Sequence, residues 1–165
     1  MAATQAPPAE IPMRRACAED EALLFELFAG DKRAEFAVFG VGGLQAEKLI
    51  EMQYRGRKLT YGAQYPGAED SILLDEDGRA AGRLLVDRGA ECWRIVDIAV
   101  LSGHRGKGMA TAALRECQRR CAAAGARLEL QVAPMNPARR LYERAGFRAT
   151  REDAMAVEMV WSAAD

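Results

Sequence analysis

Residues 92–111 read CWRIVDIAVLSGHRGKGMAT, and this stretch decides the fold. An apolar, β-branched run ends in a short polar turn, which holds Gly106 and Gly108 and leads into a helix-like pattern. Glycines let backbone N–H groups approach an anion, and the start of a helix adds partial positive charge. Arg105 and Lys107 add two full positive charges. The stretch therefore predicts a strand, a phosphate-binding turn and a helix in succession.

Two common phosphate-binding motifs fit this turn poorly. A Walker P-loop needs lysine and then serine or threonine after its second glycine, whereas Met109 follows Gly108. A dinucleotide-binding fingerprint needs a third glycine, where this chain has Thr111, and an acidic residue about 20 residues further on. The next apolar run, 128–132, ends without one, although Glu129 lies inside it.

A third pattern fits in register and is followed by a second motif. Arg105, Gly108 and Ala110 match Arg/Gln-x-x-Gly-x-Gly/Ala, and residues 136–147 read NPARRLYERAGF. These segments resemble the coenzyme A pyrophosphate loop and the Asn…Ala…Leu-Tyr…Gly-Phe segment of the GCN5-related N-acetyltransferase (GNAT) superfamily. Their order and separation also match. The resemblance covers about half of the chain, roughly residues 80–161, and the N-terminal half resembles the superfamily only in general layout.

The resemblance implies an α/β (α+β) fold, with a mixed, mostly antiparallel sheet of about six or seven strands and about four helices on both faces. It also implies an acyltransferase that moves an acetyl group from acetyl-CoA directly to an amine of a small molecule, peptide or protein, with no metal. The alternative is a non-catalytic module that binds acyl-CoA as a sensor or interaction domain.

Ten residues are expected to bind the cosubstrate. They comprise the main chain at the end of the strand, the turn with the first helical residues, and one asparagine: Ile98, Ala99, Val100, Arg105, Gly106, Lys107, Gly108, Met109, Ala110 and Asn136. The asparagine also fits as the N-cap of a helix that begins at a proline and ends at a glycine, so both roles stay open.

Two residues are candidates for the chemistry. Tyr142 matches the superfamily's general acid, which stabilises the departing thiolate; the alternative is a core tyrosine. Asp97 is the one carboxylate in the apolar strand before the turn, and burial makes it a plausible base. The alternative is an ion pair with Arg83 or Arg94. Because a β-bulge shifts the phase of a strand, the sequence leaves open which face Asp97 occupies.

Other positions carry weaker expectations. The superfamily often places an acidic base a few positions earlier in the strand, where this chain has Trp93, Arg94 and Ile95. His104, the only histidine, is expected to pack rather than to catalyse. The acceptor is expected between the first two helices, their loop and the final hairpin. Five aromatic side chains are candidates to line its site: Phe36, Phe39, Tyr54, Tyr61 and Tyr65.

The remaining elements follow from periodicity and turn residues. Helices are predicted at 19–28 (ended by Gly30), 45–54, 109–123 and 137–145. Strands are predicted at 13–16, 71–74, 82–86, 92–100, 128–132, 148–151 and 156–161. Residues 34–43 are ambiguous, and 55–70 are predicted as an extended loop.

Composition bounds the class of protein. The chain has 165 residues and a net charge of −1, which predicts a single N-acetyltransferase domain at 13–165 behind a flexible tail at 1–12, with no affinity for nucleic acid. We expect no membrane span or signal peptide and a cytoplasmic protein, with a homodimer as one open alternative. Cys117 and Cys121 are four residues apart on a predicted helix, where buried thiols are a better expectation than a metal site.

Overall fold

A computed structural model describes residues 10–164, so residues 1–9 of the expected tail and Asp165 lie outside the described residues. Seven strands form one sheet in the order β1-β2-β3-β4-β5-β7-β6. The strands are β1 (Met13–Arg15), β2 (Glu69–Leu74), β3 (Ala80–Arg88), β4 (Cys92–Val100), β5 (Arg127–Val132), β6 (Arg148–Glu152) and β7 (Val157–Trp161). The α-helices are α1 (Glu21–Val38), α2 (Gly43–Gln64), α3 (Met109–Ala123) and α4 (Ala138–Arg144).

The pairing in the sheet is mixed. β4 and β5 run parallel, whereas the other neighbouring strands of the described chain are antiparallel. The parallel pair needs a crossover, and α3 provides it. The element order and the sheet confirm the fold class expected from the sequence.

The helix α1 is longer than predicted, because it continues through Gly30 to Val38. The prediction that Gly30 ends the helix is therefore wrong. Glycine inside a helix costs about 1 kcal/mol relative to alanine, which neighbouring contacts readily offset. Arg33 makes two such contacts, because its guanidinium forms ion pairs with Glu26 on α1 at 2.8 Å and with Glu47 on α2 at 2.7 Å.

The predicted loop at 55–70 is also wrong, since α2 continues to Gln64 and β2 begins at Glu69. This part of α2 lacks the apolar stripe that marks a surface helix. Polar and aromatic contacts attach α2 to α1 instead. The ring centroid of Tyr54 lies 5.3 Å from that of Phe25, and the Tyr54 hydroxyl donates to Glu21. The same carboxylate binds Lys58 at 2.8 Å.

The main core lies between α3, α4 and one face of the sheet. Leu84 and Val86 of β3 belong to the same buried cluster as Leu114 of α3, whereas Leu85, which points to the other face, lies beneath α1 and α2. Helices therefore cover both faces.

The two cysteines of α3, Cys117 and Cys121, are buried in the main core cluster. Burial raises the pKa of the Cys117 thiol to about 12, so this thiol is neutral at physiological pH. No helix within residues 10–164 is long and apolar enough to cross a membrane.

The packing of α3 generates a stability prediction. Leu114 is fully buried, whereas Leu59 on α2 is 75% exposed. We expect Leu114→Ala to lower the free energy of unfolding by about 2–5 kcal/mol, because it removes buried methyl groups and leaves a cavity. We expect the matched control Leu59→Ala to change it by no more than about 0.5 kcal/mol. Urea denaturation measures both values, and equal effects would contradict this assignment of the core.

Candidate active site

The parting of two parallel strands creates the candidate site. β4 and β5 pair from Cys92 with Arg127 as far as Ile95 with Leu130. Beyond that point β5 keeps its pairing with β7, while β4 continues to Val100 beside β3 only. The edge of β4 that faces β5 is therefore open over the segment that includes Ile98 and Ala99. Both residues line a cavity beside this edge.

A β-bulge at Val96 turns Asp97 toward that cavity. Val86 of β3 pairs with Ile95, but Leu85 pairs with Asp97, so Val96 is the extra residue on β4. Because Leu85 and Val86 point to opposite faces of the sheet, their partners do too. Ile95 accordingly lies in the main core, whereas Asp97 lines the cavity. The bulge settles the face that the sequence left open.

The turn before α3 has a backbone suited to an anion. Gly106 and Gly108 both adopt left-handed conformations, with φ of 76° and 79°, and Gly108 is the N-cap of α3. A Cβ atom placed on either glycine would meet no other atom within 4 Å, so the space beside the turn is open. Arg105 holds the turn, because its Nε donates to the carbonyl oxygen of Val100 at 3.1 Å and its Nη2 donates to Asp31 of α1 at 2.7 Å.

His104 lies against the β2–β3 turn, with its Nε2 3.0 Å from Asp75 Oδ2. It is absent from the described lining of the cavity, in keeping with a packing role. Hydrogen bonds from the backbone of Arg79 and from His104 lower the pKa of the Asp75 carboxyl.

Asn136 both contacts the start of α4 and forms part of the cavity wall. Its Oδ1 accepts a hydrogen bond from the backbone N–H of Ala138, the first residue of α4, at 2.9 Å, although the N-cap residue is Pro137 and not Asn136. The helix ends at Arg144 with Ala145 as its C-cap, and Gly146 follows with φ of 90°. Asn136 also lines the cavity, together with Ile98 and Ala99.

Tyr142 is a buried member of the main core cluster and is absent from the described lining of the cavity. Its ring packs edge-on against Phe147, with centroids 6.0 Å apart. Burial, with a smaller contribution from the negative charge of Asp97, raises the pKa of the Tyr142 hydroxyl to about 12. Tyr142 therefore lies within electrostatic range of the cavity carboxylate while its ring packs in the core.

Two arginines bind the Asp97 carboxylate. Arg57 Nη2 lies 2.8 Å from Oδ1, and Arg83 Nη1 lies 3.3 Å from Oδ2. Arg83 also donates to Asp70 through Nε and Nη2, at 2.9 and 2.8 Å. The ion pair with Arg83 considered from the sequence is present, whereas Arg94 pairs with glutamates of β5 and β7.

The cavity has a volume of about 580 Å³ and lies between α1, α2, β3 and β4. Three of the five aromatic residues expected to line the acceptor site line this cavity: Tyr54, Tyr61 and Tyr65. Phe36 and Phe39 are absent from its described lining, and Phe39 is 77% exposed at the end of α1. The final hairpin is likewise absent from it, because β6 and β7 lie beyond β5.

Three residues that were not expected from the sequence also line this cavity: Phe28, Arg57 and Asp70. One signal was present in the sequence. Tyr54, Arg57 and Tyr61 are spaced three and four residues apart and so share one face of a helix. The predicted loop at 55–70 concealed this spacing.

Comparisons with known proteins agree with this geometry. The PaiA N-acetyltransferase from Thermoplasma acidophilum, solved in complex with coenzyme A, superposes with a TM-score of 0.68 at 17% identity, over 91% of this chain and 97% of that chain. An acetyltransferase from Thermus thermophilus superposes with a TM-score of 0.65 at 21% identity, over 92% of this chain and 96% of that chain. A GNAT family acetyltransferase from Elizabethkingia anophelis with acetyl-CoA bound superposes with a TM-score of 0.61 at 14% identity, over 93% of this chain and 99% of that chain.

These likenesses establish a shared fold. No curated protein sequence matches the chain. The model of the acetyltransferase (GNAT) family matches residues 43–147, which is more than half of the chain and includes α2, β4, the glycine turn, α3 and α4. The protein therefore belongs to the GNAT family of acetyltransferases and is an acyltransferase.

Proposed function

We propose that this protein transfers the acetyl group of acetyl-CoA directly to the amine of an acceptor in the cavity. The parting of β4 from β5 is the observation that carries the proposal. It leaves the main chain of β4 open beside the glycine turn, and Ile98 and Ala99 of the same segment line the cavity. A cosubstrate arm along this strand would lie between the phosphate-binding turn and the acceptor. The proposed domain is a single unit from Met13 to Asp165.

The turn fits a pyrophosphate. A helix start with unpaired N–H groups attracts anions, and the open space at Gly106 and Gly108 admits the phosphate oxygens to the backbone. The proposed contacts are the main chain from Gly106 to Ala110, the charges of Arg105 and Lys107, the main chain of Ile98, Ala99 and Val100, and the amide of Asn136. Bound acetyl-CoA supplies the activated thioester.

Tyr142 is the proposed hydrogen-bond donor to the leaving thiolate. A pKa of about 12, against about 8.5 for a thiol, makes full proton transfer to the sulfur uphill by roughly 5 kcal/mol. A hydrogen bond to the developing charge needs no such transfer and still stabilises it. The raised pKa keeps the hydroxyl protonated, and so able to donate, throughout the neutral range.

Asp97 is the proposed acceptor of the proton from the amine. An alkylammonium has a pKa of about 10.4, so most acceptor molecules arrive protonated at pH 7. Each carboxylate oxygen of Asp97 meets an arginine, but each oxygen has two lone pairs and retains capacity for an ammonium group. The bulge at Val96 aims this carboxylate at the acceptor cavity.

The first prediction concerns the turn. Acetyl-CoA at 100 times its Kd should stabilise the protein by about 2.7 kcal/mol. Gly108→Val should lower cosubstrate affinity at least tenfold, because the branched side chain occupies the space that a phosphate needs. Gly125→Val is the matched control, since Gly125 has a similar φ of 67° at the far end of α3. Calorimetry measures both affinities, and equal losses would show that the turn is not the phosphate site.

The second prediction concerns the Tyr142 hydroxyl. Tyr142→Phe keeps the ring and its contact with Phe147 but removes the hydroxyl. The single-turnover rate of acetyl transfer should fall by about 10², at the lower end of the range for general acids, while acetyl-CoA affinity and Tm stay near wild type. Single-turnover conditions prevent slow product release from hiding the effect. A wild-type rate in the folded variant would leave Tyr142 as a packing residue only.

The third prediction concerns coupling between Asp97 and Tyr142. Negative charge opposes ionisation of a phenol, so Asp97→Asn should lower the pKa of Tyr142 below about 12, while burial, the larger cause, keeps it above its usual value. NMR titration of ring-labelled tyrosine, assigned with Tyr142→Phe, measures this value. Asp70→Asn is the control: Asp70 contributes to the raised pKa of Tyr54, whereas burial and Asp97 account for that of Tyr142. A Tyr142 resonance unmoved by Asp97→Asn would disprove the coupling.

A further inference from the structure

We infer that the acceptor carries a carboxylate close to its amine, as a small amino acid does, and that Arg57 binds this carboxylate. The inference rests on the proposed function, because it assigns a substrate class to the same cavity. Four cationic side chains line that cavity.

Three of the four basic side chains of the cavity are already engaged. Arg83 donates through three nitrogens to Asp70 and Asp97. Lys58 lies 2.8 Å from Glu21, and Lys32 lies 2.8 Å from Glu35. At Arg83 another carboxylate would have to displace one of these contacts, whereas Lys58 and Lys32 keep N–H groups to spare but offer a point charge and no planar fork.

Arg57 differs because it combines the planar fork of a guanidinium with donors that are mostly unused. Its Nη2 lies 2.8 Å from Asp97, and its other nitrogens have no hydrogen-bond acceptor among residues 10–164. A guanidinium has five N–H groups in a planar fork and can serve two carboxylates at once. The side chain retains 33% exposure within the cavity wall, so an incoming ligand has access to it.

Aromatic contacts hold this guanidinium in place. Its Cζ lies 5.4 Å from the ring centroid of Phe28 on α1 and 4.9 Å from that of Tyr61 on α2. The face of each ring attracts the cation and offers it no lone-pair acceptor, so these contacts do not supply the acceptors that the unused N–H groups lack. Arg57 is thus positioned before a ligand arrives, which lowers the entropic cost of binding one.

The location of Arg57 limits how far the acceptor's carboxylate lies from its amine. Arg57 binds Asp97, the proposed proton acceptor, and the charge of Asp97 acts on the Tyr142 hydroxyl. A carboxylate on Arg57 is therefore a neighbour of the atoms that exchange the acetyl group. An amine only a few bonds from its carboxylate satisfies both contacts, whereas a long ω-amino acid separates them.

The charge balance of the cavity agrees with a zwitterion. Four acidic and four basic side chains line it, so an acceptor without net charge leaves the balance unchanged. A polyamine would instead bring several positive charges to a wall that offers no excess of negative charge. Coulombic complementarity therefore favours an amino acid over its decarboxylated amine.

Matched acceptor pairs test the inference. Acetyl transfer to phenylalanine and phenethylamine, tyrosine and tyramine, and β-alanine and ethylamine is followed by thiol release from acetyl-CoA. In at least one pair we expect kcat/KM for the amino acid to exceed that for the amine at least tenfold. Arg57→Gln should reduce this ratio to below twofold, and Arg57→Lys, which keeps the charge but not the fork, should give an intermediate ratio. Arg55→Gln, an exposed arginine of the same helix, should keep the wild-type ratio.

The outcomes separate the two proposals. Transfer to the plain amines at equal or greater kcat/KM in every pair, or a wild-type preference retained in folded Arg57→Gln, overturns the carboxylate site while acetyl transfer to amines stands. Transfer to no member of any pair, despite acetyl-CoA binding by calorimetry, counts against the proposed function, and the carboxylate site falls with it. Circular dichroism and acetyl-CoA affinity confirm that each variant is folded.

Discussion

The parting of β4 from β5 after Ile95 and Leu130 is the constraint on which the rest of the site depends. Two parallel strands that stay paired leave no main chain free for a ligand, whereas strands that separate expose unpaired N–H and C=O groups along the inner edge. Here each strand keeps its outer partner, β3 for β4 and β7 for β5, so the sheet remains continuous while the gap opens. The glycine turn and α3 then begin where β4 ends.

The bulge at Val96 connects this gap with the acceptor cavity. In a regular strand without the bulge, Asp97 would share the face of Ile95, two residues earlier, and lie in the apolar core, where an ionised carboxylate is costly. With it, the carboxylate reaches the cavity and meets Arg57 and Arg83. Two positive charges around one carboxylate compensate for its partial burial. One backbone irregularity thus places a charged group beside the path proposed for the cosubstrate.

The sequence predicted the half of the chain whose elements follow from local rules. β4 and α3 were placed with their observed bounds, because an apolar run, a glycine turn and an apolar stripe mark them. The later half of α2 was not predicted, because it contains Gly56 and Gly62 and turns a polar and aromatic face to a cavity. Periodicity detects a helix that covers an apolar core, and this helix covers a cavity that holds charges. Arg57 was missed for the same reason.

The partly predicted region is also where we propose that specificity resides. The cosubstrate is the same for every acceptor. The groups proposed to act on it lie on or beside β4, α3 and α4, and they are the turn, Tyr142 and Asn136. The acceptor cavity takes its distinctive side chains from α1, α2 and β3. Among the described residues, three ion pairs link these halves: Arg105 of the turn with Asp31 of α1, Arg57 of α2 with Asp97 of β4, and Arg83 of β3 with the same Asp97. The first is largely exposed and therefore contributes little to stability, whereas the second lies in the cavity wall beside the proposed reaction centre. A change in α2 can accordingly alter acceptor choice without disturbing the cosubstrate turn, because only the second of these contacts involves that helix.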